Sequence, residues 1–337
     1  MNESTKHIES GQIDGAPTWV LTQADGARLV VARTGATILS WQVPGEDGEL
    51  VDLSDGYRSG QELNARDGFR NAVLAPWSNR IRDGRYTWRG TEYDVQPGET
   101  GVRDGLHGLV SQADFELRGD AGAAEPRLTL VTSIAPDEHA GYPFSVDVTV
   151  TYGLETGADG QPTLTVELTA TNTGDEDAPA GLGWHPYFRL PGHETIDDLE
   201  LSVPARTRVI IDEGLIPLPG DAAFETVEPA GDIGLGPVGD AVVDQAFTDL
   251  IPGSDGSVTS VIRSPRTGDS LTLRQDPDES RIVHVFTGDI LARDRRASMA
   301  VEPCSFGADT LNRDPEAMTL APGSTRRLRA EVVYRRG

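Results

Sequence analysis

Cysteine, lysine and histidine are scarce in this 337-residue chain, and each scarcity excludes something. The lone cysteine, Cys304, cannot close an intrachain disulfide, and no Cys/His spacing of the zinc-site kind occurs, so nothing calls for a metal. Long apolar runs are missing too. No stretch reaches the ~18 residues that span a bilayer as a helix, and Met1 to Gly15 holds no apolar segment that could serve as a signal-peptide core. These absences lead us to expect a soluble, cytoplasmic protein with no membrane partner. Positive charge is also in short supply: 29 basic against 54 acidic residues leave a net charge of −25. A nucleic-acid backbone or an anionic lipid surface would be repelled at long range, so neither is expected as a partner. Of the basic residues only Lys6 is a lysine; the rest are arginines, planar and permanently charged.

What is present is the composition of a folded globular chain, 37% apolar and 25% charged, without polar tracts or linkers that would mark a domain boundary. Large all-β folds accommodate such lengths as one unit, so a single domain over residues 15–337 is expected, preceded by a flexible N-terminus at 1–14. Period-two alternation dominates. Phe144, Val146, Val148, Val150 and Tyr152 alternate with Ser145, Asp147, Thr149 and Thr151, which puts one face of a strand in a core and the other toward solvent. Leu164, Val166, Leu168 and Ala170 repeat the pattern, and the turn-rich residues between predict a hairpin with a long loop over Glu155–Pro162. Similar short runs occur at 28–32, 36–43, 127–134, 199–203, 270–274, 281–287 and 326–334, while Ser59–Asn64 could supply one or two turns of helix. With 38 glycines and 22 prolines punctuating them, these strands predict an all-β, antiparallel sandwich rather than a βαβ protein.

The six histidines divide by context. His7, His139 and His193 lie in terminal or loop segments where solvated histidines are ordinary. His284 alternates within the strand-like run from Arg281 to Phe286 and is expected as a core or sheet-surface histidine. His107 has Gly105 and Gly108 close by, which permit close backbone approach to a ligand as well as a tight turn. His185 sits among Trp184, Tyr187 and Phe188, and Pro186 biases it toward extended geometry at a strand end. That arrangement suits a sugar platform and equally an aromatic core. Pro303 favours the same extended geometry at Glu302, which is either solvated at a strand end or aimed into a cleft. Residues 71–82 combine an apolar stretch with Trp77, Asn79, Arg80 and Arg82, where surface ion pairing is the simplest fate of the arginines.

Taken in order and spacing, Asn79-Arg80-Ile81, Leu106-His107-Gly108, Gly183 through Phe188, Asp244 through Phe247 and Val301-Glu302-Pro303 resemble the aldose 1-epimerase (galactose mutarotase) family over roughly residues 15–335. The resemblance implies that family's oversized antiparallel β-sandwich with an open cleft, and no cofactor. It makes Glu302 the general base, His185 the general acid, and Arg80, His107 and Asp244 the residues that position the sugar; Asn79 and Tyr187 fall within the same matching segments as further binding candidates. Opening a pyranose requires a proton to leave the C1 hydroxyl and another to reach the ring oxygen, so one carboxylate and one imidazolium suffice. On this reading Glu302 starts ionised and His185 protonated. Two places depart from the family's pattern: Cys304 to Asp309 lacks the proline-rich character of that segment, and Gln245 follows Asp244. The expected substrate is a free hexose, taken by a monomer or homodimer. An anionic sugar, contacted by Arg80, Arg82, Arg85, Arg89 or Arg103, is the alternative within the fold, and a non-catalytic sugar-binding sandwich is the alternative outside it. A glycoside hydrolase would instead need Asp244 and Glu302 as paired carboxylates across the scissile bond.

Overall fold

The computed structural model describes residues 7–96, 104–118, 126–157, 159–227 and 233–337. Among these, strands dominate and the α-helices are two short ones, Gly60–Ala65 and Thr310–Arg313. The first begins where Ser59 accepts a hydrogen bond from the Glu62 N–H, the N-cap that a serine before a helix-forming segment supplies. Nine strands form the largest sheet, in the order Ile233–Leu235, Glu200–Val203, Val258–Arg263, Ser270–Gln275, Thr325–Arg335, Pro162–Asn172, Val146–Thr156, Arg127–Ile134, Glu116–Leu117. The alternation seen in the sequence sets its centre: Val146, Val148, Val150 and Tyr152 are buried, and they pair antiparallel with Asn172, Ala170, Leu168 and Val166. That hairpin runs to Thr156 and resumes at Pro162, so its connection is tighter than the expected loop because the ladder persists through Glu155↔Thr163.

A five-stranded antiparallel sheet occupies the N-terminal part. Its first strand, Ile8–Ile13, pairs with Ala16–Thr22 through Ile8↔Leu21 to Ile13↔Ala16. Residues 8–13 of the segment expected to be a flexible N-terminus are thus a paired strand. Apolar Ile8 and Ile13 at the ends of an otherwise polar strand gave little pattern, and the neighbouring strand supplies the pairing.

The sheet that carries the site has eight strands. Along it lie Phe224–Thr226, Ala205–Val209, Asp244–Leu250, Ile282–Phe286, Met299–Cys304, Gly183–Trp184 and Val73–Leu74, with Tyr187–Phe188 also paired to Met299–Cys304. One face of it contributes Phe247, Val283, Val285 and Val301 to a core continuous with Trp41 of the N-terminal sheet and Val150 and Leu168 of the nine-stranded sheet. Since side chains alternate between faces, Asp244, His284 and Glu302 emerge together on the opposite face. The fold thus converts three separate sequence positions into one surface. No helix among the described residues is long and apolar enough to cross a membrane.

Candidate active site

Adjacent strands bring the three titratable groups into register. His284 lies directly opposite Glu302 in the ladder, and Asp244, diagonal to His284 across the next strand pair, accepts a hydrogen bond from its Nε2 at 2.7 Å. Residues 183–188 pack along the other edge, where Tyr187 pairs with Ala300. His185 reaches over from there, with its Nε2 3.3 Å from Glu302 Oε1. The His185 ring lies parallel to Tyr187, at 5.1 Å between centroids and 7° between planes.

Tyr187 is itself fixed from several sides. Its hydroxyl donates to the Gly68 carbonyl at 2.8 Å, and its N–H donates to Asn71 Oδ1 at 2.9 Å. The Arg70 guanidinium covers its ring at 5.3 Å and is paired beneath with buried Asp55, which also accepts from Ser298 and Arg293. A buried charge of this kind is tolerable only because it is paired and hydrogen-bonded.

Opposite the sheet, two loops close the site. The N–H and carbonyl of Asn79 make reciprocal contacts with His107: Asn79 N–H donates to His107 Nδ1 at 3.2 Å, and His107 N–H donates to Asn79 O at 2.9 Å. Because Nδ1 accepts, neutral His107 carries its ring proton on Nε2. Arg80 lies on the same turn, its Nε donating to Asp104 at 3.1 Å. Phe69, Asn71, Asn79 and His107 all have positive φ, from 49° to 64°, a region that costs ~1 kcal/mol or more for a residue with a side chain. Tertiary contacts hold these four in place, and Phe69, Asn79 and His107 line one cavity.

That cavity, about 190 Å³, is lined by all seven residues expected from the sequence: Asn79, Arg80, His107, His185, Tyr187, Asp244 and Glu302. It also takes in His284, Phe69, Phe286 and Ile290, which the sequence reading did not place there. For His284, alternation predicted a strand histidine, but only the neighbouring strands reveal that its face carries Asp244 and Glu302 instead of core. A titratable residue between Ile282 and Phe286 on an otherwise apolar face was the available signal. His193 lies elsewhere, bonded to Asp198 and Ser264. Of the other arginines considered for an anionic sugar, Arg82 pairs with Asp212, Arg85 with Asp94 and Arg89 with Asp177 away from the cavity; Arg103 lies outside the described residues.

The electrostatics follow from burial and charge. Burial works against ionised Asp244, but the His284 hydrogen bond and charge, with Arg80, outweigh it and hold the carboxyl below its usual range. Burial likewise opposes a protonated His284, yet the Glu302 charge and the Asp244 contact raise its pKa. Burial, helped by nearby cations, pushes His107 well down. For the pair in contact the order is the reverse of the one expected. Burial raises Glu302 to about 8 despite the His284 and Arg80 charges, and burial with the His284 charge lowers His185 to about 3. Burial thus disfavours the charged form of each partner, the carboxylate of Glu302 and the imidazolium of His185.

A large antiparallel sandwich with a carboxylate and an imidazole in contact on one sheet face defines a class, the galactose mutarotase-like fold. A solved structure described as the GalM/aldose epimerase homologue from C. elegans superposes with a TM-score of 0.79, covering 97% of this chain and 99% of that one at 18% identity, which bears on the fold alone. The chain belongs to the aldose 1-epimerase family, a family of isomerases, whose model it matches over residues 17–333. Among its relatives, the uncharacterized protein YihR of Escherichia coli K12 is 26% identical over 76% of each chain. The aldose 1-epimerase of the same organism is 30% identical over 61% of this chain and 58% of its own length.

Proposed function

We propose that this chain interconverts the α and β anomers of a free hexose. The observation that carries the reading is the Glu302–His185 contact in a cavity of single-ring size, ringed by the donors and acceptors of Arg80, His107 and Asp244. Ring opening moves the C1 hydroxyl proton to the Glu302 carboxylate. The C1–O5 bond breaks with its electron pair on O5, which takes a proton from the His185 imidazolium, and C1 becomes a carbonyl. Rotation about C1–C2 and the reverse transfers close the other anomer. Before and after opening the pair holds one proton in total, first on His185 and then on Glu302. The 3.3 Å contact gives that proton a direct route back to His185.

Arg80, Asn79, His107 and Asp244 position the sugar hydroxyls, and Tyr187 supports the His185 ring. His284 is a positioning residue: it orients Asp244 and places positive charge opposite Glu302. The chain's charge and lack of long apolar runs support an enzyme without nucleic-acid or membrane partners, and we take it as a cytoplasmic monomer or homodimer.

Anomer-exchange NMR on glucose, galactose, a hexose 6-phosphate and a sulfonated hexose tests the reading. Saturation transfer between the anomers of a neutral hexose is expected, with no release of product from aryl glycosides. Exchange confined to the anionic sugars would replace the substrate class, and binding without exchange would leave a sugar-binding module.

A further inference from the structure

Ring contacts join two histidines of the cavity into one chain. Phe69 and His107 lie 4.6 Å apart between centroids, His107 and His185 5.2 Å, and His185 and Tyr187 5.1 Å. Each end ring is covered by an arginine from a single loop: Arg66 lies 5.6 Å from the Phe69 centroid, and Arg70 5.3 Å from that of Tyr187. The two arginines differ in setting. Arg66 is partly exposed and donates to Ser111, whereas Arg70 is only 1% exposed and its guanidinium is paired with Asp55, itself 3% exposed. We propose that Arg70 is a positioning residue for the general acid, holding the His185 ring through Tyr187 and keeping a buried cation close to the pair that moves the proton; this rests on the mutarotase reading above.

Three observations support it. His185 Nδ1 is buried and finds no hydrogen-bond partner in any other described residue. The usual device that aims a working imidazole, a bond to its second nitrogen, is therefore not what sets this ring. Its orientation rests on Tyr187, two residues on in extended backbone and so on the same side of the chain. Arg70 in turn is anchored against that ring at three points. Its N–H donates to the Tyr57 hydroxyl at 3.0 Å, its guanidinium bonds Asp55, and its Nη2 donates to the Arg293 carbonyl at 3.1 Å. The third observation is the choice of a buried ion pair at all, since apolar side chains of similar volume often pack such a place with equal or better stability. The pair points to electrostatics more than to packing. Charge faces His185 from every side: Glu302 at 3.3 Å, Asp244, His284 and Arg80 across the cavity, His107 against its edge and Arg70 over Tyr187. Burial first, and then the His284 and Arg70 charges, disfavour its imidazolium, so a proton held there is more readily given to the ring oxygen of the sugar.

The experiment follows anomer exchange of a neutral hexose by saturation-transfer NMR over a range of pH, corrected for spontaneous exchange and separating kcat from KM. It compares the wild type with Arg70→Lys and with the double variant Arg70→Met, Asp55→Asn, which removes both charges of the pair at once. The double variant should lose about tenfold in kcat with KM within about twofold. Its acid limb should also move to higher pH by about half a unit or more, because the imidazolium becomes easier to form. Arg70→Lys keeps the charge, so its acid limb should stay at the wild-type position. Circular dichroism checks each fold, and Arg70→Gln, which can still donate to Asp55, serves as the neutral variant if the double one unfolds. An acid limb that stays in place in the neutral variant, or that moves as far in Arg70→Lys, would overturn the role of Arg70 alone, as would failure of both neutral variants to fold. A wild type that exchanges no sugar would overturn the mutarotase reading and this role with it.

Discussion

At the scale of single residues, burial and charge set where protons reside. Glu302 is raised to about 8 and His185 lowered to about 3, so between these values the pair holds the single proton that its chemistry uses. Activity is expected to fall as pH rises through about 8, when that proton leaves Glu302, and at the acid end as His185 takes a second. Both limbs belong to the Glu302–His185 pair as a unit, since the two groups are in contact. Glu302→Gln and His185→Asn should each lower kcat about 10²- to 10⁴-fold while sugar binding stays measurable by calorimetry; near-normal turnover removes the residue from the mechanism. His284 supplies a subtler test. Glu302 lies opposite it, Asp244 bonds its Nε2, and Arg80, His185 and His107 face the same cavity. His284→Gln deletes a positive charge that lowers Glu302, so the alkaline limb of kcat/KM, corrected for spontaneous exchange, should move to higher pH. A limb that stays in place would leave His284 a packing role only.

At the scale of elements, the site depends on how the loop at residues 68–72 is tied to the Tyr187–Phe188 strand. Asn71 does this with both ends of its amide: Oδ1 accepts from Tyr187 N–H at 2.9 Å and Nδ2 donates to the Ile38 carbonyl at 3.0 Å. Its backbone N–H donates to His185 O, and His185 N–H donates to Ala72 O. Asn71→Ala would leave two buried backbone groups unpaired and place alanine at a φ of 56°. A loss of about 2–4 kcal/mol is expected in denaturant unfolding. Asn71→Asp keeps the acceptor and the tolerance for positive φ but turns a buried carboxyl oxygen toward the Ile38 carbonyl, so it should destabilise as well. A loss under ~1 kcal/mol for the alanine variant would show that the tie is dispensable.

At the scale of the whole molecule, charge balance governs. If every one of the 29 basic residues were paired, 25 carboxylates would remain uncompensated among 54. Surface pairs such as Arg208–Glu225 and Arg127–Glu155 are individually worth little and are screened by salt. The repulsion among excess carboxylates is screened as well, over a Debye length of ~10 Å at 0.1 M. The second effect dominates in a chain this acidic, so the thermal midpoint should rise between ~0.01 and ~0.15 M NaCl. An unchanged or lower midpoint would contradict this.

By itself the sequence determined the strands with clear alternation, such as Val146–Thr156 and Pro162–Asn172, because a period of two is a local property that burial on one face imposes directly. It also marked Glu302 and His185, since proline after each residue and the surrounding aromatics are visible along the chain, and the spacing of its motifs carried the family. Short strands such as Gly183–Trp184 and Val73–Leu74, with two residues apiece, hold no periodicity to read. Only the tertiary structure decided that His284 faces Glu302 and that burial raises Glu302 and lowers His185. Each of these depends on strand register and on desolvation by residues distant in sequence, and neither quantity is written in any local pattern.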